Sequence, residues 1–145
     1  MSQPEHRITF HLDRRINRAL LMARADDGVP AAERIRAALD LWSHGDVQIR
    51  EQIDLVARGF LEHPATPVPT GDSVKLTLAL SADRAKDLTR GRADDQIPVA
   101  TRIRAALTLW ESDEQVRRRI DEAASELRRA RMATRSSKIG ADDRS

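Results

Sequence analysis

At 145 residues the chain has the length of one domain, so a large multidomain enzyme is excluded. With 40% hydrophobic, 33% charged and 3% aromatic residues, its composition is typical of a small helix-rich protein and argues against a β-sandwich. The formal net charge is only +2, and the absence of cysteine excludes disulfides and thiolate metal sites.

The most informative feature of the sequence is an internal repeat with an offset of 68 residues, which places Arg24 over Arg92. Between residues 7–42 and residues 75–110, 17 of 36 positions are identical. Two copies are too few for a solenoid. We therefore expect the two copies to pair with each other.

Each copy begins with a segment in which hydrophobic and polar residues alternate, as they do in a half-buried β-strand. Ile8, Phe10 and Leu12 alternate with Arg7, Thr9 and His11 in the first copy, and Leu76, Leu78 and Leu80 alternate with Lys75, Thr77 and Ala79 in the second. A single short strand leaves two edges unpaired, and a unit of about 40 residues is too small to be stable alone. We therefore predict that strand 7–12 pairs antiparallel with strand 75–80 and turns its hydrophobic face to the core.

Two helices are predicted after each strand. Pro30 and Pro98 end the first helix of each copy and begin the second, because proline restricts the residue before it and is favoured in a first helical turn. The second helix carries a hydrophobic stripe that ends at Trp42 in one copy and at Trp110 in the other. We interpret both tryptophans as core residues rather than as platforms for stacking bases.

After the second helix the two copies diverge, and each continues into a third amphipathic pattern that either covers the core or forms a surface for another subunit. Three prolines within residues 64–69 indicate an extended linker. The residues from 133 onwards lack apolar periodicity, which indicates disorder. The predicted division is a first unit at 1–62, a linker at 63–72, a second unit at 73–132 and a disordered tail at 133–145.

An alternating strand followed by two short helices, with an Ile-Arg pair early in the second helix, resembles the ribbon-helix-helix (Arc/MetJ-like) DNA-binding family. The resemblance covers residues 6–43 and 74–111. In that family the ribbon is made by two chains. The resemblance therefore implies a mainly α fold with a two-stranded antiparallel β-ribbon, formed by tandem units as an intramolecular pseudo-dimer, with an extra helix after each copy.

The resemblance implies a sequence-specific double-stranded DNA-binding protein, a transcriptional repressor whose β-ribbon enters the major groove. The outward strand residues are the candidates for base contacts: Arg7, Thr9, His11, Lys75, Thr77 and Ala79. Arginine and lysine donate to guanine, threonine hydroxyls donate or accept, and a methyl group contacts thymine. By resemblance, the start of each second helix holds phosphate through the backbone of Ala31, Ala32, Val99, Ala100 and Thr101. Family members bind as adjacent dimers, which implies self-association on neighbouring half-sites.

Several of these residues allow a second interpretation. The outward strand residues also fit the solvated face of a small sheet. Arg24, Arg36, Arg92 and Arg104 fit either phosphate contacts or ion pairs with the repeated aspartates. The arginine-rich stretch at 117–138 fits either a solvated helix face or non-specific DNA contact.

Two other functions stay open at the level of sequence. An accessory DNA-binding protein of plasmid conjugation or partition would use the same tandem motif. An antitoxin-like module would instead bind a protein partner through its C-terminal helix and tail.

The sequence offers no catalytic motif, since it has no Gly-rich phosphate loop, no H-E-x-x-H pattern and no recognisable set of Ser, His and acid. Its four histidines are scattered, and strand geometry puts His6 and His11 on opposite faces. We therefore expect no enzymatic activity, no metal site and no cofactor. No segment has the character of a signal peptide or membrane span, so we expect a cytoplasmic, nucleoid-associated protein without a membrane partner.

Overall fold

The computed structural model describes residues 6–62 and 73–142, and its side chains as far as residue 134. This part of the chain is mainly helical, with one two-stranded antiparallel sheet. The first unit contains β1 (His6–Asp13), α1 (Arg14–Asp27), α2 (Ala31–Asp40) and α3 (Val47–Glu62). The second unit contains β2 (Ser73–Leu80), α4 (Ala82–Asp95), α5 (Val99–Ser112) and α6 (Glu114–Asp142). The predicted linker at 63–72 lies outside the described residues.

The two strands pair with each other along their whole length, which confirms the predicted antiparallel pairing. Ile8 lies opposite Leu78, and Phe10 lies opposite Leu76. Phe10 and Leu78 are only 2% and 3% exposed, so the hydrophobic face of the ribbon lies against the helices. The polar face is consequently left on the outside of the molecule.

Each strand leads directly into a capped helix. The Asp13 carboxylate accepts a hydrogen bond from the backbone N–H of Arg15 at 2.8 Å, and the Ser81 hydroxyl accepts one from the N–H of Arg84 at 3.3 Å. Such caps satisfy backbone donors that the first helical turn leaves unpaired. Asp13 is the last residue of β1, and Ser81 is the single residue between β2 and α4. No loop therefore separates either strand from the helix that follows it.

The second helices form the centre of the molecule, and each is covered by the third helix of the other unit. Helix α3 packs against α5, and α6 packs against α2. Trp42 and Trp110 are 3% and 0% exposed, which confirms their interpretation as core residues. Of the two roles left open for the third helices, covering the core is the one that the structure supports.

A buried arginine ties the first unit to the second. Arg34 is 1% exposed, and its guanidinium donates to the carboxylate of Asp27 and to the Val29 carbonyl in its own unit. It also donates to Asp121 of α6 at 3.0 Å, and Asp121 accepts the indole N–H of Trp110 at 2.8 Å. The charge of Arg34 is therefore neutralised by both units at once, as a buried cation requires.

The second unit repeats this arrangement in the opposite direction. Arg102 is 1% exposed, and it donates to the carboxylate of Asp95 and to the Ile97 carbonyl. Its Nε lies 3.5 Å from Asp54 of α3, and Asp54 accepts the indole N–H of Trp42 at 2.8 Å. The two crossed arrangements, each built on one buried arginine, hold the units together.

The units differ in length at the passage from the second helix to the third. In the first unit a π-helical turn, Leu41–Gly45, precedes α3, whereas in the second unit α5 passes to α6 through Asp113 alone. Asp46 and Asp113 take the same role, because each carboxylate accepts the backbone N–H two residues further on at 2.9 Å. These aspartates are 67 rather than 68 residues apart, so the wide π turn accommodates one additional residue.

This one-residue change corrects our expectation that the copies diverge after the second helix. With an offset of 67, six of the twelve residues in 46–57 are identical to their counterparts in 113–124. Ile53 corresponds to Ile120, and both are buried. The third helices are therefore part of the repeat, and the change of offset concealed it.

The last helix is also longer than the sequence suggested. We expected disorder from residue 133, whereas α6 continues to Asp142. Among the side chains of α6 that the structure describes, which end at residue 134, Ala124 is the last buried one. Residues 143–145 lie outside the described part of the chain.

Candidate nucleic-acid interface

The six residues predicted to contact bases come together on one face of the ribbon. Across the two strands they form three directly opposite pairs, which are Arg7 with Ala79, Thr9 with Thr77, and His11 with Lys75. All are exposed except Ala79, which is half-buried. On each strand the three outward residues alternate with inward ones, from Arg7 to His11 and from Lys75 to Ala79. The six residues therefore form a continuous polar strip.

A pair of threonines occupies the middle of the strip. The hydroxyl oxygens of Thr9 and Thr77 lie 3.2 Å apart, within hydrogen-bonding distance. A hydroxyl has one donor and two acceptor positions, so each threonine keeps further capacity for an external partner. Thr9 and Thr77 are also counterparts in the sequence repeat, since 68 residues separate them.

One end of the strip is supported from behind by Arg36 of α2. Its Nε and Nη2 donate to the Ala79 carbonyl at 3.1 and 3.0 Å, and its Nη1 donates to Glu33 at 3.1 Å. These contacts favour an intramolecular role for Arg36 over phosphate binding. This role could not be predicted from the sequence, because the spacing of residues within α2 does not reveal which carbonyl of the distant strand Arg36 contacts.

The equivalent arginine of the second unit has different surroundings. Arg104 is exposed, and its Nη2 donates to the Thr101 hydroxyl at a long 3.4 Å. Arg24 and Arg92 are exposed as well, near the ends of α1 and α4. Within the described residues none of these three arginines forms the ion pair with an aspartate that we considered, and phosphate contact stays a prediction for them.

The beginnings of α2 and α5 have free helix ends of the kind that attract anions. Their N-caps are Pro30 and Pro98, and neither supplies a side-chain hydrogen bond. The candidate phosphate residues Ala31, Ala32, Val99 and Ala100 are half-buried at these ends. Backbone N–H groups of a first helical turn point along the axis towards an approaching anion.

Thr101 does not belong with these residues. It is 3% exposed, and its backbone N–H donates to the Pro98 carbonyl at 3.0 Å. Its backbone N–H and its hydroxyl are therefore both hydrogen-bonded within the protein, so Thr101 is less suited to a phosphate contact than the residues before it. In the first unit Glu33 occupies the same position, and its N–H donates to the Pro30 carbonyl in the same way.

Two acidic residues close to these helix ends are neutralised within the protein. Asp27 and Asp95 pair with the buried guanidinium groups of Arg34 and Arg102. Burial alone would raise the pKa of Asp95, but hydrogen bonds from Arg102 and from the backbone N–H of Ile97 outweigh it and hold that pKa below its ordinary value. Asp95 thus stays ionised and paired, which reduces its repulsion of an anion.

The arginines of α6 are largely used inside the molecule. Arg119 pairs with Asp46 at 2.8 Å, Arg131 pairs with Glu33, and Arg117 lies 4.3 Å from the centre of the Trp110 ring. Arg119 and Arg131 therefore join the two units, whereas Arg117 and Trp110 belong to the same unit. Arg118 and Arg129 are exposed.

The described ranges 6–62 and 73–142 contain no group of three His, Cys, Asp or Glu side chains that could hold a metal ion. Over the same ranges, every helix is too short or too polar to cross a membrane.

Comparison with known proteins gives no match: the chain matches no protein-family model, no curated protein and no solved structure.

Proposed function

We propose that the protein binds double-stranded DNA sequence-specifically by inserting its two-stranded ribbon into the major groove, and that it acts as a transcriptional repressor. The observation that carries this proposal is the polar strip, with Thr9 and Thr77 at its centre and cations towards both ends. An ordinary solvated sheet face needs no such alignment of hydrogen-bonding groups. The strip is the part of the described surface best suited to reading a duplex.

The dimensions of the ribbon suit a major groove. Two paired strands lie about 4.8 Å apart, and the major groove of B-DNA is about 12 Å wide. The hydrophobic side chains on the opposite face are buried under the helices, so only the polar side is available to the duplex. Two-stranded ribbons are an established means of reading the major groove.

The chemistry of the strip suits base edges. Arg7 can donate twice to the O6 and N7 atoms of guanine, and Lys75 can donate to the same acceptors. Thr9 and Thr77 can donate or accept, while His11 can hydrogen-bond to a base edge. The strip therefore combines donors and acceptors, which sequence discrimination requires.

Phosphate contacts at the ends of α2 and α5 would orient the ribbon. The two helix ends are counterparts in the repeat, and neither has a side-chain cap that competes with an anion. Phosphates of the two strands that border the groove would then be bound through Ala31 and Ala32 on one side and through Val99 and Ala100 on the other. Such contacts fix the position of a protein on DNA without carrying sequence information.

We further infer that the chain is a tandem ribbon-helix-helix protein, in which two units of one chain do the work of two subunits. Thr9 and Thr77 are counterparts under the repeat and also partners in the ribbon, as a local two-fold axis through this pair requires. The crossed contacts of Arg34 and Arg102 obey the same relation. Both observations support a pseudo-dimer within one chain.

The proposal is tested by selecting bound sequences from a random duplex library and measuring the affinity of variants for the selected and for a scrambled duplex. Arg7→Ala or Thr77→Ala should reduce the discrimination between the two duplexes by about 1–3 kcal/mol for each lost base contact. Thermal melting should show that both variants stay folded, because both side chains are exposed.

Arg118→Ala is the matched control, since it also removes an exposed guanidinium. Arg118 is the fifth residue of α6, beyond the C-terminal end of α5, and the candidate phosphate site is at the other end of α5, about 20 Å along that helix. Discrimination should not change in this variant. If no sequence is enriched, or if both strip variants discriminate as well as the unaltered protein, the proposal is wrong.

The biological role is tested separately from DNA binding. Immunoprecipitation of the protein with its bound genomic fragments should recover promoter regions, including the one upstream of its own gene, if it is a repressor. Recovery of only a plasmid transfer or partition locus would favour the accessory role instead.

A further inference from the structure

The two ends of the polar strip are chemically different, although its centre is symmetric. A two-fold axis through Thr9 and Thr77 relates Arg7 to Lys75, and it relates His11 to Ala79. One end of the strip therefore consists of an arginine opposite an alanine, and the other consists of a lysine opposite a histidine. No residue at either end is matched by an identical residue at the other.

The two ends should prefer different bases. The planar guanidinium of Arg7 donates in a fixed fork that fits one guanine, and the methyl group of Ala79 opposite offers only an apolar contact. Lys75 presents a compact charge with rotatable donors, and the imidazole of His11 offers two ring nitrogens for hydrogen bonds. The first end thus demands a particular geometry, while the second offers a more varied set of hydrogen bonds.

The helices that pack against the ribbon also support its two ends differently. Arg36 holds the Ala79 carbonyl through two hydrogen bonds, so the strand beside Arg7 is fixed to α2. Its counterpart Arg104 is exposed and donates instead to Thr101. The end of the strip that contains Arg7 is therefore the more rigidly supported, which favours precise bidentate recognition.

We propose that the preferred DNA site is not palindromic, and that one chain binds it in a single orientation. The half of the site that carries a guanine lies against Arg7 and Ala79, and the other half lies against His11 and Lys75. This inference rests on the proposed function and adds a direction to it. A direction is a property that a ribbon made by two identical chains does not have.

The first test makes the strip symmetric and repeats the selection from the random library. Arg7→Lys combined with His11→Ala gives both strands the same outward residues, and Lys75→Arg combined with Ala79→His does the same with the other set. The unaltered protein should select a site without two-fold symmetry, and each double variant should select a palindrome. The unaltered protein should also bind at least about tenfold more weakly when one half of its site is replaced by the inverted copy of the other half.

The second test uses the unaltered ribbon and the absence of cysteine from the chain. Ala25 and Ala93 are exposed counterparts near the ends of α1 and α4, beside the candidate phosphate sites. A DNA-cleaving iron chelate attached through Ala25→Cys should cut only one flank of the selected site, and one attached through Ala93→Cys should cut only the other.

The outcomes separate this inference from the proposed function. Enrichment of a palindrome by the unaltered protein, or cleavage of both flanks from either attachment point, would overturn the single orientation while leaving DNA binding intact. Failure to enrich any sequence would overturn the proposed function, and the orientation with it.

Discussion

The first and second units have the same order of elements, and they use identical residues at the buried centre of their junction. These identical residues are Arg34 and Arg102, Trp42 and Trp110, and Asp54 and Asp121. The outer surfaces of the units differ. The first unit exposes Leu21, Met22, Val47 and Leu55, whereas the corresponding residues of the second unit are Thr89, Arg90, Glu114 and Glu122. The comparison indicates that contact between units, rather than a common surface, fixes the shared architecture.

The largest difference that we expect between the units is the effect of deleting one residue from the connection between the second and third helices. Deletion of Ser112 rotates the start of α6 by about 100° relative to α5, because each helical residue contributes that rotation. Val116 and Ile120 would leave the core, at a cost of about 1.5–3 kcal/mol each, and we expect the cooperative unfolding transition to be lost.

Deletion of His44 is the matched experiment in the first unit. It removes one exposed residue from the π turn and gives this passage the length that the second unit already has. We expect a folded protein that loses about 1 kcal/mol or less in urea denaturation, as is usual for changes at exposed positions. Equal damage from both deletions would contradict the interpretation of the π turn as an accommodated extra residue.

A second expected difference lies beneath Trp42. A Cβ atom added at Gly91 of α4 would lie 2.5 Å from Cη2 of the Trp42 ring. Gly91→Ala should therefore destabilise the protein by about 1–3 kcal/mol through overpacking, although alanine is the better helix former. The free energy of unfolding from chemical denaturation measures the effect.

The first unit supplies the control, because Ala23 is the counterpart of Gly91. Ala23→Gly should cost about 1 kcal/mol through helix propensity, and about 1 kcal/mol more because Ala23 is buried and its methyl group is lost. A stabilising effect of Gly91→Ala would show that the indole does not approach the helix as closely as the structure indicates.

A smaller difference is expected where α1 and α4 end. Both helices end with a residue in the left-handed conformation, which is Gly28 with φ +74° in one unit and Gln96 with φ +63° in the other. Glycine adopts this conformation without steric cost, whereas it is also more flexible in the unfolded chain. Gln96→Gly should give a net stabilisation of about 0.5 kcal/mol, and Gly28→Gln should destabilise by about 1 kcal/mol or more. Thermal melting of both variants checks the opposite signs.

A further effect that we expect depends on pH. Asp95 has a folded-state pKa below its ordinary value, so its ionisation stabilises the fold above the unfolded-state pKa, and this contribution is lost as the pH falls through the folded-state pKa. Asp95→Asn should therefore weaken the protein at neutral pH and make less difference at strongly acidic pH. Unfolding measured along a pH series tests this, with the exposed neighbour Asp94→Asn as the control. A penalty that stays constant from neutral to strongly acidic pH would contradict the role of the charge.

Much of the fold follows from local sequence signals. Alternation in residues 7–12 and 75–80 predicts both strands, and the repeat predicts their pairing, because each unit alone leaves a strand unpaired. The exchange of third helices does not follow from such signals, since it depends on which distant surfaces fit together. The length of α6 was also missed, because the residues from 133 onwards have no apolar periodicity that would indicate a helix.

Part of the candidate site could likewise be predicted from the sequence, and part of it could not. The period of a strand is enough to assign the outward residues, and the structure brings all six of them together. The burial of Thr101 could not be predicted, because it depends on packing rather than on distance from Pro98. The role of Arg36 was hidden for the same reason, since its partner is a backbone carbonyl 43 residues away.

The most direct test of the central claim is to follow the backbone amide signals of the isotope-labelled protein by NMR while its selected duplex is added. We expect the largest changes at Arg7, Thr9, His11, Lys75 and Thr77, with further changes at the first residues of α2 and α5. Changes confined to the outer faces of α3 and α6, with the signals of the ribbon unaltered, would contradict the account.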